Sequence, residues 1–265
     1  GFNFFLLMTG YQLASLDSST RNLTANKPVY DKVENFDPSL ARLNTLSKLV
    51  GYCDSLYNEK AVGDDDAALK KEYADIASSV VRNRFYHGYS TYGLSNNYMA
   101  VMMEQVSIDG LSAIVMPDDI LEYPYAACSQ QSIVLMEVLR QKGMSTRKVG
   151  FKGKLGGHFC FEVFYEGGWH FYDPDMEPDS NVLAAYNKPG IAFLVNHPDI
   201  LLKAYRQYPK EKVMDLFPTY WYGSVNTFPA PRAIVFHKVT KFLSYTISLF
   251  FLIAFVWARR RYKKI

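Results

Sequence analysis

YAACSQQSIVLMEVLRQKG, residues 125–143, sets Cys128 at the first turn of a helix that Gly143 ends, with Leu135 and Leu139 following it on one face. Cysteine is among the most buried residue types, so core packing is the starting reading of Cys128. A nucleophile would need a base, a group to orient that base, and a reason to open a helix.

The next thirty-odd residues supply the first two, and the helix start itself the third. STRKVGF (145–151), HFCFEVFY (158–165) and WHFYDPD (169–175) read as strands from their aromatic and β-branched content, and Glu166-Gly167-Gly168 reads as a tight turn joining the last two. One helix followed by antiparallel strands is an α+β pattern. His158 and Cys160 share one face of their strand, while Trp169, Phe171 and Asp173 share one face of the next. A hairpin closing at 166–168 pairs residues whose numbers sum to about 333 or 334, which sets His158 level with residues 173 to 175. An imidazole beside a carboxylate on the neighbouring strand is the base and orienting half of a triad. The start of the cysteine helix offers a positive dipole end and unpaired N–H groups, which favour a thiolate and can hold an oxyanion.

These residues, in this order, resemble the transglutaminase-like superfamily of papain-fold cysteine enzymes over roughly residues 124–175. In that family a Cys opens a helix ending in a Leu-Arg, Gly, Arg turn, filled here by Leu139-Arg140, Gly143 and Arg147-Lys148-Val149. A Gly-His then starts a strand with Glu-Val four and five residues on, as Gly157-His158 and Glu162-Val163 do. A Trp and a later Asp-Pro close the motif, as Trp169 and Asp173-Pro174 do. The resemblance implies a transglutaminase-like, papain-like core in which the cysteine helix packs on an antiparallel sheet. It makes Cys128 the nucleophile, His158 the base and Asp173 the orienting group. It implies attack on an amide of a protein or peptide substrate through a thioester, ended by water or by an amine, with no cofactor and no metal. A catalytically silent scaffold or binding module on the same fold is the alternative.

The sequence also departs from the family. Ala126 stands where a Gly often lies two residues before the Cys, and no tryptophan precedes Cys128 to donate to the oxyanion. Asn97 and Tyr98, in SNNYM, are candidates for that donor; Gln130, Gln131 and Trp169 are candidates to meet substrate, though packing explains the glutamines equally well. His170 points to the strand face away from Asp173, and His87, His197 and His237 lack ligand-like spacing. The acidic run Asp173, Asp175, Glu177, Asp179 lacks the spacing of a calcium loop and reads as solvated. Cys53 lies on an apolar helical stripe, and Cys160 reads as core or pocket wall; a bridge between the two is open on sequence alone.

Charge excludes nucleic acid as a partner. The chain of 265 residues carries +3, but five of its 29 basic residues lie in the last eight, leaving 24 basic against 26 acidic upstream. Residues 242–258 hold no charge over seventeen positions, about 26 Å of helix and near the short end of a membrane span. The basic run after it is expected to stay cytoplasmic, placing the preceding domain across the membrane, periplasmic or on the cell surface. GFNFFLLMTGYQLASL at the start resembles the cut end of a membrane or signal segment, so the native start is expected upstream, and Asn22-Leu23-Thr24 matches a glycosylation sequon. The expected partition is a truncated segment at 1–16, a helical region at 37–84 and a catalytic core at 85–180. An extension at 181–238, a membrane helix at 239–258 and a basic tail at 259–265 follow. By analogy with family members that carry flanking anchors, cell-envelope or surface-polysaccharide machinery is the expected setting, with membrane-protein partners.

Overall fold

The computed structural model describes residues 2–15, 28–30, 34–60, 66–106, 109–154 and 156–262; the sequon, Asp64, Asp65 and the last three residues lie outside them. In chain order the elements are α1 (Phe2–Ala14), a 3-10 turn (Pro38–Arg42), α2 (Leu46–Lys60), α3 (Asp66–Arg84), β1 (Tyr86–His87), α4 (Leu94–Val106), α5 (Pro117–Ile120), β2 (Tyr125–Ala126) and α6 (Cys128–Gln141). Then come β3 (Ser145–Lys152), β4 (Gly157–Tyr165), β5 (Gly168–Tyr172), α7 (Ser180–Ala184), α8 (Ile191–Asn196), α9 (Pro198–Ala204), α10 (Lys210–Leu216), β6 (Tyr220–Tyr222) and α11 (Pro231–Tyr262). The chain divides into two compact units, each assembled from discontinuous segments: Gly1–Lys27, Ser90–Met116 and Ala230–Ile265 in one, Pro28–Tyr89 and Pro117–Pro229 in the other.

The second unit is the α+β body. Its antiparallel sheet runs β5-β4-β3-β6. The β4–β5 hairpin has Phe161 opposite Tyr172 and Tyr165 opposite Gly168, the register in which paired numbers sum to 333. Its two turn residues, Glu166 and Gly167, both have positive φ (48° and 74°), the backbone a two-residue hairpin of right-handed twist requires. Burial along β4 does not alternate, because Cys160 and Val163 are both inaccessible and the sheet is covered on both sides. Val149, Phe151, Cys160 and Phe171 pack on Ile191, Leu194, Leu201, Val213 and Phe217 of α8 to α10 and the turn after them. α6 lies against β4, pinned by the Ser132 hydroxyl donating to Phe159 O at 3.0 Å. Val134, Leu135, Met136, Val138 and Leu139 are all buried, so α6 is enclosed on more than one face. Each such side chain contributes roughly 1.5–3 kcal/mol over an exposed one, and that fixes the first turn of α6 in place.

Asp37 followed by Pro38 is a helix-start pattern ahead of a stripe of leucines, but it opens only a short turn. Asp37 Oδ1 accepts from Ser39 N at 2.8 Å and caps only the 3-10 turn; α2 begins at Leu46, whose N–H donates to Asp118 Oδ1 at 2.7 Å. The stripe itself, Leu40, Leu43, Leu46, Leu49 and Cys53, is buried throughout. Arg84 is enclosed with no carboxylate partner among the described residues and donates to the carbonyls of Leu121, Tyr123 and Leu43, tying α3 to the approach to Cys128. Burial holds its guanidinium down to about 10.

The first unit holds α1, α4 and α11. α11 covers the charge-free stretch and extends N-terminally from it; by length and composition, Pro231–Arg261, with mean hydropathy 1.9, is long and apolar enough to cross a membrane. Its apolar side chains, among them Phe250, Ile253, Phe255 and Trp257, point outward, while polar ones face the neighbouring helices. Gln12 Nε2 donates to Ser244 Oγ at 2.8 Å, and Thr9 Oγ1 donates to Ser244 O at 3.1 Å.

Candidate active site

β1 and β2 pair in parallel, with Tyr86 opposite Tyr125 and His87 opposite Ala126. This brings the chain to Cys128, the first residue of α6, after an N-cap at Ala127 whose backbone is extended (φ −75°, ψ 167°). Serine, threonine or aspartate is usual at such a position, because its side-chain oxygen takes an N–H of the first turn. Alanine has no such oxygen, and Ala127 makes no side-chain cap. Gln130 supplies the other half of the cap, its Oε1 accepting from Ala127 N at 3.1 Å. The helix therefore starts firmly at Cys128: the Ala127 carbonyl takes the Gln130 and Gln131 N–H groups at 2.8 and 2.9 Å, while Ala127 offers no side-chain oxygen to the turn.

His158 is the second residue of β4, behind Gly156, whose φ of +153° L side chains rarely adopt. Its Nε2–H donates to Asp173 Oδ2 at 2.8 Å. Asp173 sits one residue past β5, and its carboxylate is held on all sides. The Tyr205 hydroxyl donates to Oδ2 at 2.8 Å, and the N–H groups of Asp175 and Met176 donate to Oδ1 at 3.2 and 3.1 Å. His158 and Asp173 are both buried, at 8% and 4% exposure, and Cys128 is half-buried. Burial works against the His158 imidazolium, but the charge and hydrogen bond of Asp173 outweigh it and raise its pKa well above the ordinary 6.5. Burial likewise pushes the Asp173 carboxyl up, yet His158 and the surrounding donors hold it below the ordinary 3.8. With Nε2 committed to Asp173, the other ring nitrogen is left for the thiol. The Cys128 sulfur, a His158 ring nitrogen and an Asp175 oxygen all lie within 4.8 Å of one another.

A cavity of about 390 Å³ opens beside the sulfur, lined by Cys128, His158, Asp175, Gly157, His87 and Tyr208 among others. His87 Nδ1 stands 2.7 Å from Asp175 Oδ1, and Gln131 Nε2 donates to the same oxygen at 3.1 Å and to Ala126 O at 3.0 Å. The hydrogen bond to Asp175 leads the influences that raise the His87 pKa.

The sequence candidates thus separate. Cys128, His158 and Asp173 come together, with Gln131 at the edge of their cavity through Asp175. Gln130 is a helix cap. Trp169 lies against the Arg147 guanidinium, 4.3 Å from its ring centre, which commits it to the sheet. Asn97 and Tyr98 belong to the other unit, where hydrogen bonds engage both. Asn97 interrupts α4 with an extended φ of −161° and caps its second part, Oδ1 accepting from Ala100 N at 3.2 Å, while Nδ2 donates to Thr240 at 3.0 Å. Tyr98 is inaccessible, its hydroxyl 3.2 Å from Thr9 Oγ1.

The acidic run is not one solvated loop either. Asp173 and Asp175 serve the site, Glu177 accepts from Asn35 at 2.6 Å, and Asp179 caps α7. All three cysteines are free thiols, so Cys53 and Cys160 are core residues and form no bridge. His170 is structural, stacked on Tyr165 at 3.7 Å. Sequence reasoning passed over His87 and Tyr205. The first is placed by a two-residue strand, and the second lies in a segment that reads only as amphipathic helix.

A second triple, His158, Cys160 and Asp173, also lies within 4.8 Å, but it is wholly buried and the direct His158–Asp173 hydrogen bond occupies its centre.

No protein-family model matches the chain, and no curated protein matches it. Among solved structures, one described as the crystal structure of a TGase superposes with a TM-score of 0.30 at 15% identity, covering 58% of this chain. The match covers 35% of the TGase chain, about a third of its length. A superposition this loose leaves the fold to be read from its own elements.

Proposed function

We propose that the protein is a membrane-anchored cysteine enzyme of transglutaminase-like type, acting on amide bonds through a thioester. The observation that carries this reading is the half-buried Cys128 at a helix start, beside an imidazole held by a fully hydrogen-bonded carboxylate. His158 takes the thiol proton, giving a thiolate–imidazolium pair that Asp173 stabilises. The sulfur attacks the amide carbonyl, and first-turn N–H groups of α6 are suited to hold the developing oxyanion. His158 returns its proton to the departing amine, leaving a thioester on Cys128. Water or a second amine, deprotonated by His158, then ends the cycle as hydrolysis or acyl transfer on a protein or peptide.

α11 is the anchor in this reading, and the polar contacts among α1, α4 and α11, with apolar side chains outside, suit a lipid setting. Arg259, Arg260 and Arg261 favour a cytoplasmic end, which sets the α+β body on the extracytoplasmic side, at the cell envelope.

Iodoacetamide labelling of Cys128 tests the chemistry. At pH 6 an ordinary thiol is about 1% thiolate or less, while an ion-paired one is mostly ionised. Lower nucleophilicity offsets part of that gain, so wild type is expected to label about tenfold or more faster than His158→Ala. Equal, slow labelling in both would remove the ion pair from the mechanism.

A further inference from the structure

Spacing along the chain marks no metal site, yet the fold gathers a sulfur, an imidazole nitrogen and a carboxylate oxygen from α6, β4 and the turn after β5. We propose that Cys128, His158 and Asp175 bind one borderline-soft divalent cation, with Zn²⁺ the fitting ion, and that the bound ion silences the thiol. The binding stands on geometry alone; the silencing rests on the triad reading above.

Three features of the site suit a metal. The first is distance. Zinc with sulfur at about 2.3 Å and nitrogen or oxygen at about 2.0 Å needs ligand atoms about 3.5 Å apart. A set already within 4.8 Å reaches that with small side-chain rotations. The second is support behind each ligand. A metal-bound histidine commonly donates its other N–H to a carboxylate, which His158 does to Asp173 at 2.8 Å. The Asp175 carboxylate is held by His87 at 2.7 Å and Gln131 at 3.1 Å, both on Oδ1, so Oδ2 keeps its lone pairs for a ligand. The third is access. The cavity of about 390 Å³ gives the ion a way in and leaves a fourth position for water.

The donor set selects the metal. One thiolate and one imidazole favour zinc and its neighbours, while calcium or magnesium would want oxygen ligands throughout. Binding is proton-linked and involves no redox change: the one proton shared by the Cys128 sulfur and the facing His158 nitrogen leaves to solvent, and sulfur–metal and nitrogen–metal bonds form in its place. With its sulfur pair in the metal bond and His158 ligated, the site can neither attack nor accept a proton. The same side chains would then serve two states, a metal-held resting form and a metal-free reactive one.

The test uses the full chain in detergent, stripped with EDTA and titrated with Co²⁺ or Zn²⁺. One equivalent of Co²⁺ should give the thiolate-to-cobalt charge-transfer band, and Cys128→Ala, or Cys128→Ser if alanine impairs folding, should abolish it. Asp175→Asn should weaken Zn²⁺ binding about tenfold or more, the scale seen when metal-site partners are lost. Zn²⁺ should slow iodoacetamide labelling of wild type about tenfold or more relative to EDTA, and added EDTA should reverse the effect. Absence of the band in wild type, or unchanged Zn²⁺ affinity in Asp175→Asn, overturns the site. Labelling that Zn²⁺ leaves unchanged overturns the silencing. The cobalt band does not depend on an activated thiol, so slow labelling in EDTA beside a normal band would strike the triad reading and leave the metal site standing.

Discussion

Two ion pairs with buried carboxylates share one sheet and differ in how they are closed. Arg147 on β3 and Glu162 on β4 are register partners joined through two nitrogens, at 2.6 and 2.7 Å. Glu162 Oε1 accepts from Ile191 N at 2.7 Å, and the guanidinium lies between the rings of Trp169 and Tyr222, at 4.3 and 3.8 Å. Protein groups surround that pair. His158 and Asp173 are closed as tightly on the carboxylate side, where four donors converge. Their imidazole keeps one nitrogen toward a sulfur and a cavity. Desolvation offsets part of what either pair contributes to stability. The first fastens α8 to the sheet. The second leaves one imidazole nitrogen open, and in the proposed mechanism that nitrogen is where chemistry enters.

The largest effect is expected from breaking the closed pair. Glu162→Ala leaves the Arg147 charge without its carboxylate and the Ile191 N–H without an acceptor, a loss of about 3 kcal/mol or more. At roughly 2–4 °C per kcal/mol in a chain of this size, the melting temperature should fall by about 6–12 °C. The double change Arg147→Met with Glu162→Gln removes the charge and keeps the acceptor, and should recover most of that loss. Labelling of Cys128 in the folded protein should stay within about twofold of wild type. A Glu162→Ala protein as stable as wild type would end the distinction between the pairs.

The open pair should respond the other way, in reactivity first. In Asp173→Asn an amide replaces the acceptor that holds the Nε2 proton, so the imidazole turns to the tautomer that cannot take the Cys128 proton. Labelling at pH 6 should fall about tenfold or more, as in His158→Ala. Unchanged labelling would mean that Asp173 does not set the tautomer.

The same contrast separates what the sequence could and could not tell. Arg147 and Glu162 were legible as motif positions, but nothing in their spacing says they form one pair; that follows from the β3–β4 register. The register of β4 and β5 was legible, because Glu166-Gly167 is a strong local turn and fixes every pairing above it. Cys128, His158 and Asp173 were therefore within reach. The partners outside that hairpin were not. His87 reaches the site through β1, too short to show alternation, and β6 adds Tyr222 over Arg147 by three residues of pairing. Asn97 was ambiguous because an amide in a polar stretch suits an oxyanion donor as well as a helix cap, and its cap on Ala100 follows from the kink in α4.

The smallest effect should come from Tyr205→Phe, which removes one of the four donors around Asp173 and nothing else. A hydrogen bond to a charged group contributes about 1.5 kcal/mol, so the pair weakens without opening. The pH dependence shows where. The raised His158 pKa makes its contribution to stability complete below its ordinary 6.5 and lost as pH rises through the folded value. The lowered Asp173 pKa makes its contribution complete above its ordinary 3.8 and lost as pH falls through the folded value. The pair therefore stabilises the fold most between those two ordinary values. Tyr205→Phe should lower the melting temperature throughout that window and move its acid edge to higher pH, because the carboxylate form has lost a donor. Thermal melts of both proteins across that range check this. A variant whose acid edge coincides with that of wild type would show that Tyr205 packs beside Asp173 without holding its charge.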